Sequence, residues 1–132
     1  MSNASETPNA SGFISLERDD GKLFHTKNVS TVGGFHLRGE LEDESFELSV
    51  ANETPPGTYT YPDKKNRLSA RFMKSIQKFP PAPPTEYAIS AGTVTLEVAS
   101  TEQMKGSLAI TLKSKAGELL KLKGSFDVSV SP

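Results

Sequence analysis

The stretch HTKNVSTVGGFH holds both histidines of this chain, His25 and His36, the side chains best suited to proton transfer or metal binding near neutral pH. Zinc takes three or four ligands, so the pair would need carboxylates from elsewhere, and Glu40 and Glu42 are the near candidates. In FHLRGEL, however, His36 alternates with Phe35 and Leu37 and faces outward beside Arg38 and Glu40. His25 belongs to a different strand, next to Phe24. The pattern reads as two separate surface histidines with no metal between them. Gly33-Gly34 suits a bulge or a close strand approach, because a phosphate loop would need a lysine motif and a following helix.

Other chemistry is equally sparse. The acidic run Glu40, Glu42, Asp43, Glu44 has oxygen ligands for calcium, but it lacks the regular Asp/Asn spacing and central glycine of an EF-hand loop. It reads as a solvated hairpin tip. No serine sits in a Gly-x-Ser-x-Gly elbow, and the chain has no cysteine to act as nucleophile or thiolate ligand. No catalytic residue and no cofactor are expected.

The sharpest local asymmetry is basic: Lys64, Lys65, Arg67, Arg71, Lys74 and Lys78. Read as a strand, this segment puts Arg67 and Arg71 opposite Leu68 and Phe72, with Lys64 and Lys65 on the preceding turn. Lys64, Lys65, Arg67 and Arg71 are the candidate anion-binding residues, suited to an anionic polymer or a lipid headgroup surface. The plainer alternative is an edge strand kept soluble by positive charge. Aromatic side chains are too few here for single-stranded nucleic acid, and none is expected as partner.

The elements that must position these residues are strands. Val94, Leu96 and Val98 alternate with polar residues, as do Leu108, Ile110 and Leu112. Leu120, Leu122, Phe126, Val128 and Val130 form one further row, with Gly124 in it. Three such strands make an antiparallel meander with one buried face. The earlier half repeats the pattern in GFISLE, KLFHTKNV, FHLRGEL and SFELSVA, where Phe35, Leu37 and Leu41 face inward around Gly39. Arg18-Asp19-Asp20-Gly21 and Thr54-Pro55-Pro56-Gly57 are turns, and Pro80 to Pro84 mark another break. Residues 66–79 fit either period, with the strand favoured over the helix. The sum is all-β: an antiparallel β-sandwich or small, partly open barrel of nine or ten strands built from consecutive hairpins.

With 132 residues the chain is one domain, able to bury roughly two thirds of its unfolded surface without staples. Residues 1–11 read as a flexible polar tail, in which Ser2-Asn3-Ala4 resembles a tag remnant, and 12–132 as the β-domain. The formal net charge of −1 gives no global field toward nucleic acid or anionic membrane. No apolar run approaches the ~20 residues of a membrane span.

In order along the chain stand Asp20-Gly21-Lys22-Leu23-Phe24, Gly33-Gly34-Phe35-His36-Leu37 and Pro56-Gly57-Thr58-Tyr59. Ala91-Gly92-Thr93-Val94-Thr95-Leu96, Lys105-Gly106-Ser107-Leu108 and Lys123-Gly124-Ser125-Phe126-Asp127-Val128 follow. The order resembles a family of small bacterial secreted or lipoprotein-type β-domain proteins of unknown function. That resemblance implies an antiparallel β-domain and carries no catalytic motif. The chain lacks the cysteine on which a lipid anchor of that kind would be built. The expected function is a non-catalytic, envelope-associated binding or scaffolding module. Its partner would be an anionic polymer, a lipid surface or a protein. Two other readings are a small-ligand carrier with an apolar cavity between sheets and an enzyme with convergent acids. Localisation is envelope or secreted if a leader precedes this sequence, and cytoplasmic otherwise.

Overall fold

A computed structural model describes residues 10–31, 35–41, 43–51, 53–65, 67–74, 85–100 and 102–130. Ten strands follow one another: β1 (Ala10–Arg18), β2 (Leu23–Thr26), β3 (Val29–Thr31), β4 (His36–Leu41), β5 (Glu44–Val50), β6 (Gly57–Tyr61), β7 (Leu68–Lys74), β8 (Thr85–Ala99), β9 (Gln103–Ser114) and β10 (Leu119–Val130). All pairings are antiparallel, in the order β2-β1-β10-β9-β8-β7-β5-β4-β3, and β6 also pairs with β8. The expected all-β, partly open barrel is therefore what this chain forms.

Closure follows from the connectivity. β2 and β3 are the two ends of the strand order, yet only Lys27 and Asn28 separate them in sequence. The chain leaves β1 on one side of the seam and joins β4 on the other. Thr26 holds that seam. Its buried hydroxyl donates to the Glu40 carbonyl (2.7 Å) and accepts from the Asn28 amide (2.9 Å). The Glu40 amide in turn donates to the Asn28 carbonyl at 3.0 Å. Across the same seam Gly39 leaves no room for a side chain, because a Cβ there would lie 2.8 Å from Ile14 Cδ1 and 2.9 Å from Thr26 Cγ2. At Gly124 a Cβ would sit 2.0 Å from the Ser15 carbonyl oxygen, so β10 and β1 can coil this tightly only around a glycine.

β8 is long because it serves two partners. Its first part pairs with β7 and its second part with β6, with irregularities between Ile89 and Ala91 and between Leu96 and Val98.

Period-two alternation decides what fills the barrel. Phe24, Phe46, Phe72 and Phe126 lie inside with Ile14, Leu16, Leu37, Leu48, Leu96 and Leu122, all essentially without solvent contact. Phe24 and Phe72 meet edge to face, centroids 5.4 Å apart. Outward positions of β8, β9 and β10 carry Thr95, Glu97, Lys105, Ser107, Lys121 and Lys123. This polarity is the reverse of a barrel that faces lipid. Among the described residues no helix is long and apolar enough to cross a membrane.

Several expectations need correction. β1 begins at Ala10, inside the residues 1–11 read as a tail, and 1–9 lie outside the described residues. Leu41 is 37% exposed instead of inward: it pairs with Glu44 at the hairpin end of β4, beyond the reach of β3. Val130 is at the exposed end of β10, and the irregularity before Val98 leaves that side chain half buried. β7 lies between β5 and β8, so it is not an edge strand. Residues 68–74 of the ambiguous segment are strand, whereas 75–79 and the expected break at Pro80 to Pro84 lie outside the described residues, as do Gly33-Gly34.

Phe126→Ala should lower unfolding stability by roughly 3–5 kcal/mol through lost burial and a residual cavity. Lys123→Ala should leave it within ~0.5 kcal/mol. A third variant, Thr26→Val, removes both hydrogen bonds of the Thr26 hydroxyl at constant shape and should cost about 1–3 kcal/mol. Urea melts of the three proteins measure these values.

Candidate functional site

The four arginines and the lysines behave differently. Each arginine, Arg18, Arg38, Arg67 and Arg71, pairs with a carboxylate. Among the described residues no lysine does so. A planar guanidinium fork matches a carboxylate with two parallel bonds, whereas an ammonium on a flexible stem keeps its water.

Arg18 ends β1 on the inward row of Ile14 and Leu16, with only 1% of its side chain exposed. Nη1 donates to Glu44 across the barrel, and Nη2 donates to Asp20 at 2.7 Å. Its Cζ lies 5.4 Å from the Phe72 ring centroid, and Nε has no acceptor among the described residues. Read as part of a turn, Arg18 was missed in the sequence, although the alternation of Ile14, Leu16 and Arg18 already puts it on the inward row. It also changes the reading of the acidic run: Glu44 turns inward to Arg18 and Glu40 pairs with Arg38 at 2.8 Å, so the run is not simply a solvated tip. Glu42 lies outside the described residues. Burial acts to raise the Asp20 pKa, but the Lys22 amide and the Arg18 charge outweigh it and hold the carboxyl below its ordinary value.

Of the four candidate anion-binding residues, Arg67 and Arg71 are each paired with a carboxylate. Arg67 precedes β7 and is tied to Asp63 by Nε (2.8 Å) and Nη2 (2.9 Å), with its Cζ 4.7 Å from the Tyr59 ring centroid. Those bonds and the Arg67 amide keep the Asp63 carboxyl far below the usual carboxylate range. Arg71 is on β7 and donates through Nε (3.1 Å) and Nη2 to Glu47 on β5. Lys64 and Lys65 are exposed on the turn before Arg67. Arg67 and Arg71 thus have separate carboxylate partners, and among the described residues Lys64 and Lys65 form no ion pair.

What it does assemble lies on the outer face of β4, β5, β7 and β8. Register places Arg38, Glu47, Arg71 and Ala88 in one cross-strand row. His36, Ser49 and Ser69 form the next row. Between them is a depression of about 320 Å³, lined by His36, Glu47, Ser49, Ser69, Arg71 and Glu86 among others. Glu47 is its hub. Its carboxylate, 12% exposed, takes bonds from Arg71 and lies 3.3 Å from His36 Nε2 and 3.7 Å from Arg38. Burial acts to raise the Glu47 pKa, but the Arg71 hydrogen bonds and the charges of Arg71, Arg38 and His36 lower it further than burial raises it.

Ser49 Oγ is 2.8 Å from His36 Nδ1. With Nε2–H facing Glu47, Nδ1 is free to accept from the serine, so one tautomer satisfies both contacts. These are the residue types of an acyl-transfer triad, but the surroundings are wrong for it. The amide after the nucleophile normally stabilises the oxyanion, and here the Val50 amide donates to the Phe35 carbonyl at 2.7 Å. His25 belongs to a separate group, stacked on Phe13 with centroids 6.4 Å apart. Alternation already placed Glu47 and Ser49 outward in SFELSVA, but only strand pairing brings His36 and Arg71 beside them. No protein-family model matches this chain, and neither a curated protein nor a solved structure matches it significantly.

Glu47 should hold the β4–β5–β7 face together only while ionised. Its folded pKa lies below the ordinary 4.5, so its contribution is complete above that pH and is lost as pH falls through the folded value. Glu47→Gln should therefore destabilise by about 1.5–3 kcal/mol at neutral pH, the scale of hydrogen bonds to a charged group. Thermal melts from pH 7 downward should show the gap between wild type and variant closing below 4.5.

Proposed function

We propose that this chain is a non-catalytic binding or scaffolding module whose recognition surface is the outer face of β4, β5 and β7. One observation carries the reading: the interior is filled and the polar groups converge outside. Four phenylalanines and their aliphatic neighbours occupy the barrel with almost no exposure, which leaves recognition to the surface. That filling also weighs against a small-ligand carrier, which needs an apolar cavity. The committed Val50 amide weighs against acyl transfer at Ser49. The order of glycine-bearing strands that resembles small bacterial envelope proteins supports an envelope-associated or secreted setting.

The face suits contact with a structured polar partner more than with an anionic membrane or acidic polymer. Arg71 is already paired with Glu47, and Glu86 stands 3.9 Å from its Nη1. A long polyanion would meet these carboxylates before any free cation.

Treatment with a fluorophosphonate probe should leave Ser49 no more labelled than the exposed Ser69, as read by peptide mass spectrometry. Selective labelling of Ser49 that disappears in His36→Gln would replace the binding reading with an esterase-type site. A fluorescent fatty acid should likewise gain no intensity on mixing, since the inward side chains are closed to solvent.

A further inference from the structure

We infer that the depression between Glu47 and Ser69 takes a neutral saccharide, held through a pair of adjacent hydroxyl groups. This inference rests on the binding reading of the same face and names its ligand class. The floor is made of short side chains, Ser49, Ser69 and Ala88, and the walls are His36, Arg71 and Glu86. Its volume of about 320 Å³ falls at the small end of ligand sites, enough for a sugar ring rather than a polymer segment.

The free valences select the ligand. Glu47 is saturated by Arg71 and its neighbours, and Arg71 spends Nε and Nη2 on it. Arg71 Nη1 makes only a 3.9 Å contact with the exposed Glu86 carboxylate. Ser69 Oγ has no hydrogen-bond partner among the described residues, and Ser49 Oγ spends its hydrogen on His36 and keeps its lone pairs. The site thus offers a cationic donor, a carboxylate acceptor and a hydroxyl that can be either, all within one depression. A sugar hydroxyl donates and accepts at once, so two adjacent ones use this set completely.

Charge rules out the simpler ligands. Arg71, with Arg38 beside Glu47, balances the carboxylates of Glu47 and Glu86. An anion would approach two carboxylates, and a cation would have to displace Arg71 from Glu47. A neutral ligand has neither penalty. Among the described residues no aromatic side chain lines the depression, so binding depends on hydrogen bonds that compete with water. Affinity should be weak, on the order of millimolar.

The test is a two-dimensional ¹H–¹⁵N NMR titration of the full chain with cellobiose, maltose and N,N′-diacetylchitobiose, with digalacturonic acid as the acidic comparison. At least one neutral disaccharide should shift Ser49, Ser69, Arg71 and Glu86 saturably, and more tightly than digalacturonic acid does. Ser69→Val, which fills the floor, and Glu86→Ala, which removes the acceptor, should each weaken that binding about tenfold or more. Both positions are exposed, and the remaining resonances report that the variants are folded. The inference fails if no neutral disaccharide moves these resonances up to ~50 mM, if the acidic sugar binds more tightly, or if the shifts map elsewhere. The binding reading itself fails separately, through selective labelling of Ser49.

Discussion

Everything in this barrel depends on a two-residue passage. Between Thr26 and Val29 the chain crosses from one margin of the strand order to the other, and the Thr26 hydroxyl fixes it there by bonding to Glu40 and Asn28. Without that crossing the strands would form an open sheet with two exposed edges, a form prone to pairing with other chains. With it, each alternating row acquires an inside and an outside. The glycines are where the closed shape bears on sequence: Gly39 yields its space to Ile14 and Thr26, and Gly124 yields to the β1 backbone.

Closure also creates the setting for Arg18. A charge at the end of an inward row is costly to bury unless its hydrogen-bonding groups are matched. Asp20 comes from the adjacent turn, Glu44 reaches across from β5, and the Phe72 ring lies beneath the guanidinium. The arrangement binds the β1–β2 turn to the β4–β5 hairpin and so ties two distant parts of the sequence at one end of the barrel. Its value to the fold lies more in fixing that geometry than in net stability, since a buried ion pair returns little beyond its desolvation cost.

The outer face follows the same logic at lower cost. Glu47 is shared by three cationic or imidazole partners from β4 and β7, so the face is ordered before any ligand arrives. Preordered side chains lose little entropy on binding, which is what a weak, hydrogen-bonded ligand requires. Neutralisation within the face underlies the proposed preference: charges that satisfy one another leave donor and acceptor valences but no net attraction for a polyion.

The sequence alone determined the all-β class, because a period of two recurs in most segments, and one greasy face per strand demands a common interior. It likewise determined the core rows of β8, β9 and β10, from Val94 to Phe126, and the outward position of His36, Glu47 and Ser49. Burial is a local consequence of alternation, so these were legible residue by residue. Partnership was not. That Arg18 would reach Glu44 across the barrel, that Arg71 would turn to Glu47, and that β7 would be enclosed by β5 and β8 depend on strand order and register. Those are set by the closure of the whole sheet, through residues tens of positions apart. Only the tertiary structure could decide them, because a charge chooses its partner by distance in space and the sequence records distance along the chain.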